Sequence, residues 1–243
     1  ALAKLQEEAV GKYRRVVPEK PMQENERVEN TQSWKPVFHV SVETKEQLNA
    51  AISSDIVESI YVDSSMMSLT ELESFCKTET GKKLLENIEV FYILPPIFRL
   101  ETEKRFTEEY KCLECISFSG FVVKNLEGYQ WILNHKIEKP VIIDANLYTF
   151  NKRAKVFWNQ QKNVRFATLP VELNFRELMA RGAEDGELIV YGHLPMMISA
   201  GCVYKSLKRC KKADKRVMTP DDYYRLKDRK NMKFAVKPVC TDC

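Results

Sequence analysis

No apolar run in this sequence approaches the ~18 residues that cross a bilayer, and no signal-peptide pattern opens it. Both absences argue against a membrane-spanning or secreted protein and make the cytoplasm the expected compartment. Glycine is scarce, with 8 in 243 residues. No glycine-rich phosphate loop follows any apolar run, which weakens a nucleotide-binding Rossmann reading. HExxH and GxSxG are missing too, as is an evident Cys/His pair on a loop. Peptide hydrolysis needs an activated nucleophile or a metal-bound water, and nothing here supplies either outright.

Cysteine, by contrast, is plentiful and unevenly placed. Of seven, Cys202, Cys210, Cys240 and Cys243 fall in the last 42 residues. Without a secretory segment they read as reduced thiols and metal ligands rather than a disulfide framework. Soft thiolate tetrads hold zinc or iron–sulfur clusters. Zinc ribbons carry two tight CxxC knuckles, whereas this tail offers only Cys240-x2-Cys243, so the irregular spacing leans to a cluster, with zinc as the alternative. A loop of 29 residues between Cys210 and Cys240 is ample to fold back. Cys76, Cys112 and Cys115 lie with helical segments and read as core or surface thiols.

Charge follows the same tail. Residues 205–237 hold 13 Lys/Arg against 4 Asp/Glu, a balance of +9 in a chain whose net charge is +4. A basic segment beside thiols suits phosphate, hence RNA, but equally a solvated loop or a counter-charge for metal thiolates.

A hydrophobic content of 44% supports one large core. Residues 1–17 read as an amphipathic helix, with Leu2, Leu5, Ala9, Val10 and Tyr13 at near-helical spacing, and 18–36 as a linker; together they form an N-terminal segment, 1–36. From 37 to 201 short apolar runs alternate with helical segments. The strands fall at 37–42, 59–63, 89–94, 120–125, 140–144, 164–169 and 187–191. The helices fall at 44–53, 69–86, about 100–113, about 126–136, about 151–161 and 174–181. Strands apolar throughout and separated by helices imply parallel pairing with both faces covered. The expected fold is an α/β, TIM-barrel-like domain over 37–201, its ring complete or incomplete, followed by a Cys-rich basic tail over 202–243. A doubly wound open sheet is the other arrangement compatible with the pattern.

A barrel of this kind places polar strand-end residues at its mouth: Glu43, Asp63, Ser64, Lys124, Asn125, Asp144, Asn146, Glu172 and His193. Asp144 and Glu172 stand out, each following a strongly apolar run, and His193 lies just past the last strand. Bonding to loop amides or capping the next helix is the competing role for such groups, as expected for Asn174.

The run Glu187 to Cys202, with Tyr191-Gly192-His193-Leu194-Pro195-Met196-Met197 inside it, resembles the peptidase U32 (collagenase-like protease) family. Glu187, Gly192 and Cys202 match that family's pattern, while the earlier cysteine of its pair falls on Pro195. Stretches 144–151 and 169–174 are also similar, as is the tail from Leu226 through Phe234 and Val236 to Cys240. The resemblance implies a TIM-barrel-like fold. It also implies either protease activity or, as in many relatives, oxygen-independent hydroxylation of RNA bases or ubiquinone precursors with a [4Fe–4S] cluster on four cysteines. Cys202, Cys210, Cys240 and Cys243 restore that count of four here. The resemblance further implies that the barrel belongs to a longer chain, whose remainder would be a partner; a non-catalytic binding domain is the third alternative.

Overall fold

The computed structural model describes residues 2–13, 36–183, 185–207, 210 and 223–240. Contacts divide the chain into two compact units, Ala1–Pro36 and Val37–Cys243. The first contains helix α1 (Leu2–Tyr13), on which Ala9 and Val10 are exposed. Except for Pro36, the linker expected over 18–36 lies outside the described residues.

In the second unit strands and helices alternate. The order is β1 (Phe38–Val42), α2 (Lys45–Ile52), β2 (Val57–Asp63), α3 (Leu69–Lys77), α4 (Glu79–Leu85), β3 (Glu89–Ile93), α5 (Leu100–Lys111) and β4 (Gly120–Val123). It continues with α6 (Leu126–Asn134), β5 (Val141–Ile143), α7 (Lys152–Asn159), β6 (Val164–Thr168), α8 (Phe175–Arg181) and β7 (Gly186–Glu187). Each strand pairs in parallel with the next, in the order β1 through β7. The sheet curls into a half-barrel flanked by helices, an incomplete TIM-barrel-like fold as the alternation implied.

Successive residues of a strand face opposite sides of the sheet, and both sides here are apolar. Ile60, Val90, Tyr92, Phe121 and Val141 pack in the larger core with helix residues such as Leu72, Phe106 and Trp131. Tyr61, Phe91, Ile93, Val122 and Ile142, with Phe166 against them, form a second cluster on the inner face. Trp131 of α6 is almost fully buried, meeting Phe106 and Phe121 edge-on at 6.0 and 6.4 Å between centroids.

Polar residues at the strand–helix junctions start the helices. Thr44, Asn125, Asn151 and Asn174 each accept a hydrogen bond from a first-turn amide, and Asn174 forms a reciprocal capping box with Glu177. The helix expected over 69–86 is two helices. Thr78 ends α3 by donating its hydroxyl to the Phe75 carbonyl and starts α4 by accepting from Gly81 N. A Cβ at position 81 would sit 2.1 Å from the Phe75 oxygen, so the tight junction requires glycine there.

The strand expected over 187–191 is also shorter. β7 contains only Gly186 and Glu187, and Leu188, Ile189 and Val190 are exposed. β6 ends at Thr168, the register partner of Glu187, and Leu169 N donates to the Glu187 carbonyl at 2.8 Å. Among the described residues no further backbone lies alongside to extend the ladder. Beyond it come a short helix, α9 (Val203–Ser206), and an antiparallel hairpin of β8 (Tyr224–Lys227) and β9 (Lys233–Val236). Asp228 shapes the hairpin turn, its carboxylate accepting from the amides of Lys230 and Met232 at 2.8 Å each. Among the described residues no helix is long and apolar enough to cross a membrane.

Candidate functional site

The curl of the sheet brings its first and last strands together through side chains. Glu187, at the end of β7, reaches His39 of β1, with 2.7 Å between Oε2 and Nδ1. The Tyr61 hydroxyl from β2 donates to the same oxygen at 2.7 Å and lies 2.8 Å from His39 Nδ1. Thr168 Oγ1 of β6 donates to the other carboxylate oxygen at 2.6 Å. Four strands thus converge on one carboxylate.

Burial alone would raise the Glu187 carboxyl. The hydrogen bonds from His39, Thr168 and Tyr61 outweigh it and hold the pKa below the ordinary glutamate value. An ionised carboxylate is acceptor-only, so the short contact places an imidazole proton on Nδ1. Tyr61 is pushed far above the ordinary phenol range, first by burial and then by the Glu187 charge. It is a fixed donor, not an acid or base. His39 and Glu187 side chains are each 18% exposed, so solvent reaches the cluster from one side.

Around it stand the other strand-end groups. Asp63 closes β2 and accepts from Ser65 N and Oγ at 2.9 and 2.6 Å, while Lys124, just past β4, lies 3.7 Å from its other oxygen. Asp144 follows β5 and accepts from Asn146 N and Nδ2 at 3.0 and 2.7 Å, capping a 3-10 turn over Ala145–Leu147. It therefore fills the capping role, but burial also raises its pKa, against the pull of Lys124 and the Asn146 amide and with a push from Glu187. That coupling puts Asp144 in the same electrostatic environment as Glu187, at the carboxyl ends of the strands where barrels build sites.

The other anticipated residues divide. Asn125 caps α6 and donates to the Pro95 carbonyl at 3.0 Å; Ser64 is buried, with its amide on the Ile93 carbonyl. Both serve structure. Glu172 and His193 are exposed on the loops after β6 and β7, and the structure does not bring them to the Asp144–Glu187 cluster. His39, Tyr61 and Thr168 were not singled out from the sequence. Their signal was parity: each is a polar-tipped residue on the inward-facing positions of a strand whose outward positions are apolar.

Glu43, just past β1, joins the mouth to the tail. Its carboxylate meets Lys237 Nζ at 2.6 Å, directly after β9. Tyr204 of α9 is buried; its hydroxyl accepts from Tyr224 N at 2.9 Å and donates to the Val236 carbonyl at 3.3 Å. Its ring packs on Tyr224 at 4.4 Å. Cys202 is the residue before α9, and Cys240 lies three residues past Lys237, so the same ties hold both cysteine-bearing arms. Cys202 is half-buried, Cys210 and Cys240 are exposed, and Cys243 lies outside the described residues. Among the described residues no three His, Cys, Asp or Glu side chains gather as a metal site. Cys202, Cys210 and Cys240 carry the soft donors expected of a cluster but are not gathered at one point among the described residues. Cys76 is buried and its thiol pushed up to about 12, first by burial and then by Glu73, so it is an inert core thiol; Cys112 and Cys115 are exposed.

In comparisons with known proteins, no family model, no curated protein and no solved structure matches the chain.

Proposed function

We propose that this chain is the barrel-bearing part of a U32-type protein that hydroxylates an RNA base without molecular oxygen, its [4Fe–4S] cluster held by Cys202, Cys210, Cys240 and Cys243. The observation that carries the reading is the placement of the tail. The Lys237–Glu43 pair ties the end of the hairpin, three residues before Cys240, to the half-barrel end where Asp63, Lys124, Asp144 and Glu187 stand. The basic segment 205–237, of which 208, 209 and 211–222 lie outside the described residues, supplies charge for phosphate.

The cluster, when bound, supplies electron transfer. The chain's own groups bind and orient the base. Asp144 offers a carboxylate that accepts at the base edge. Lys124 balances its charge. Glu187, held ionised by three donors, fixes the His39 ring through Nδ1, so that its Nε2 edge is turned away from the carboxylate to meet the base.

Anaerobic purification followed by iron, sulfide and zinc analysis tests the reading. Iron and sulfide in equal amounts, lost together in each Cys→Ser variant, are expected, with mass spectrometry of RNA from cells expressing the chain showing an added oxygen on a base. Zinc without sulfide, or peptide hydrolysis that survives all four cysteine changes, would favour the protease or binding-domain alternatives.

A further inference from the structure

We propose that Tyr148 and Phe150 form a rigid stacking platform for the unpaired bases of a single-stranded RNA, flanking the nucleotide presented to the mouth; this rests on the RNA reading above. The two rings lie on the loop that begins at Asp144, four and six residues further on. They are parallel within 9°, with centroids 5.4 Å apart, and are 55% and 37% exposed. Exposed aromatic rings ordinarily move independently, and here the backbone prevents it. Tyr148 has φ 51°, a left-handed conformation uncommon for a bulky residue. Phe150 N donates back to the Tyr148 carbonyl at 2.8 Å, closing a three-residue turn.

Thr149, between the rings, is buried and faces inward. Arg181, itself 6% exposed at the end of α8, donates from Nε to the Thr149 carbonyl and from Nη2 to Thr149 Oγ1 at 2.7 Å. The same buried guanidinium donates from Nη1 to the Gly182 carbonyl at 2.8 Å, so it ties the loop to the end of α8. Its effect is to hold two π-faces outward in a fixed pair, which lowers the ordering cost of binding.

Charge identifies the occupant. Between Asp144 and Glu172 the chain has five Lys/Arg and no carboxylate. Lys155 is paired with Asp185 and Arg165 with Glu89. Arg153 is exposed in the first turn of α7, directly after the platform and next to Lys152. Aromatic faces followed directly by exposed cations suit stacked bases joined by phosphates. A proline-rich peptide also packs on aromatic pairs, but gains nothing from the cations.

The test is fluorescence anisotropy of the full chain with a labelled oligoadenylate, the same strand annealed to its complement, and a labelled collagen-like peptide. Tyr148→Ala and Phe150→Ala should each weaken oligoadenylate binding about tenfold. They should leave the salt dependence and duplex binding unchanged, because phosphate contacts remain. Tyr148→Phe should bind like the parent, and Phe150→Leu, which keeps apolar bulk without a π-face, should not. Circular dichroism confirms that each variant is folded. Ring-removal variants, or Phe150→Leu, that bind oligoadenylate like a parent that binds it well would overturn the platform and leave the RNA reading standing. A parent that ignores oligoadenylate, whether or not it binds the peptide, would overturn both.

Discussion

The wall of the half-barrel and the tail docked on it are built by opposite means. In β4 and β5 every residue is buried, and the helices over them add Trp131 and Phe106 to a continuous apolar layer. In β8 and β9 most residues are exposed, Leu226 and Phe234 among them, and the hairpin holds through Tyr204 and the Lys237–Glu43 pair. Apolar burial scales with area and tolerates loss of one contact, whereas two polar ties do not. The wall can therefore stand alone, and the tail gains most from a bound cluster that would add bonds where hydrophobic area is lacking.

The largest break in this contrast is Trp131→Ala. Removing a nearly inaccessible indole that contacts Phe98, Phe106 and Phe121 should cost about 3–5 kcal/mol, read as a lower urea midpoint for the whole 37–187 region. Tail and wall should be lost together, because the tail has no core to fall back on.

Next is Glu187→Ala, which strands the Thr168 hydroxyl and leaves the Tyr61 hydroxyl and His39 Nδ1 with only each other at the seam between β1 and β7. About 3 kcal/mol is expected. The pH dependence has a definite sign. Because the folded pKa of Glu187 is depressed, its contribution is present above the ordinary glutamate value of about 4.3 and is lost as pH falls through the lower folded value. The parent should lose stability in that acid window more steeply than the variant, as followed by thermal melts across pH.

Much of the wall was legible before the fold was known. An apolar run such as Val141, Ile142 and Ile143 can satisfy both faces of a sheet only as an interior parallel strand, so six strands fall where expected. Leu188 to Val190 has the same composition but no partner backbone, and propensity without a neighbour left it exposed. Asp144 was legible because a carboxylate right after such a run has few places to go. His39 and Glu187 meet across 148 residues of sequence. Only the curl of the sheet makes them neighbours, and no local spacing encodes it.

Smaller effects sharpen the contrast from the tail side. Tyr204→Phe removes one hydroxyl that serves both the Tyr224 amide and the Val236 carbonyl, about 1–2 kcal/mol of local stability. Limited proteolysis should cut the hairpin faster while the main unfolding transition stays in place. Asp144→Asn should be smallest of all. It keeps an oxygen to cap the 3-10 turn while removing a carboxylate whose raised pKa marks its charge as unfavourable, so a gain of no more than about 1 kcal/mol near neutral pH is expected. The gain should shrink as pH falls through the raised pKa, where the parent carboxyl becomes neutral as well. On the proposed function, base hydroxylation should fall despite the added stability.

Hydrogen exchange on the anaerobically prepared chain, with and without an iron chelator, tests the docked tail most directly. The account predicts slow exchange over residues 223–240 in the iron-loaded chain, fast exchange there after chelation, and no change in β2 through β6 under either condition. Equal exchange of the hairpin in both samples would contradict the proposed closing of the tail on the mouth by a bound cluster.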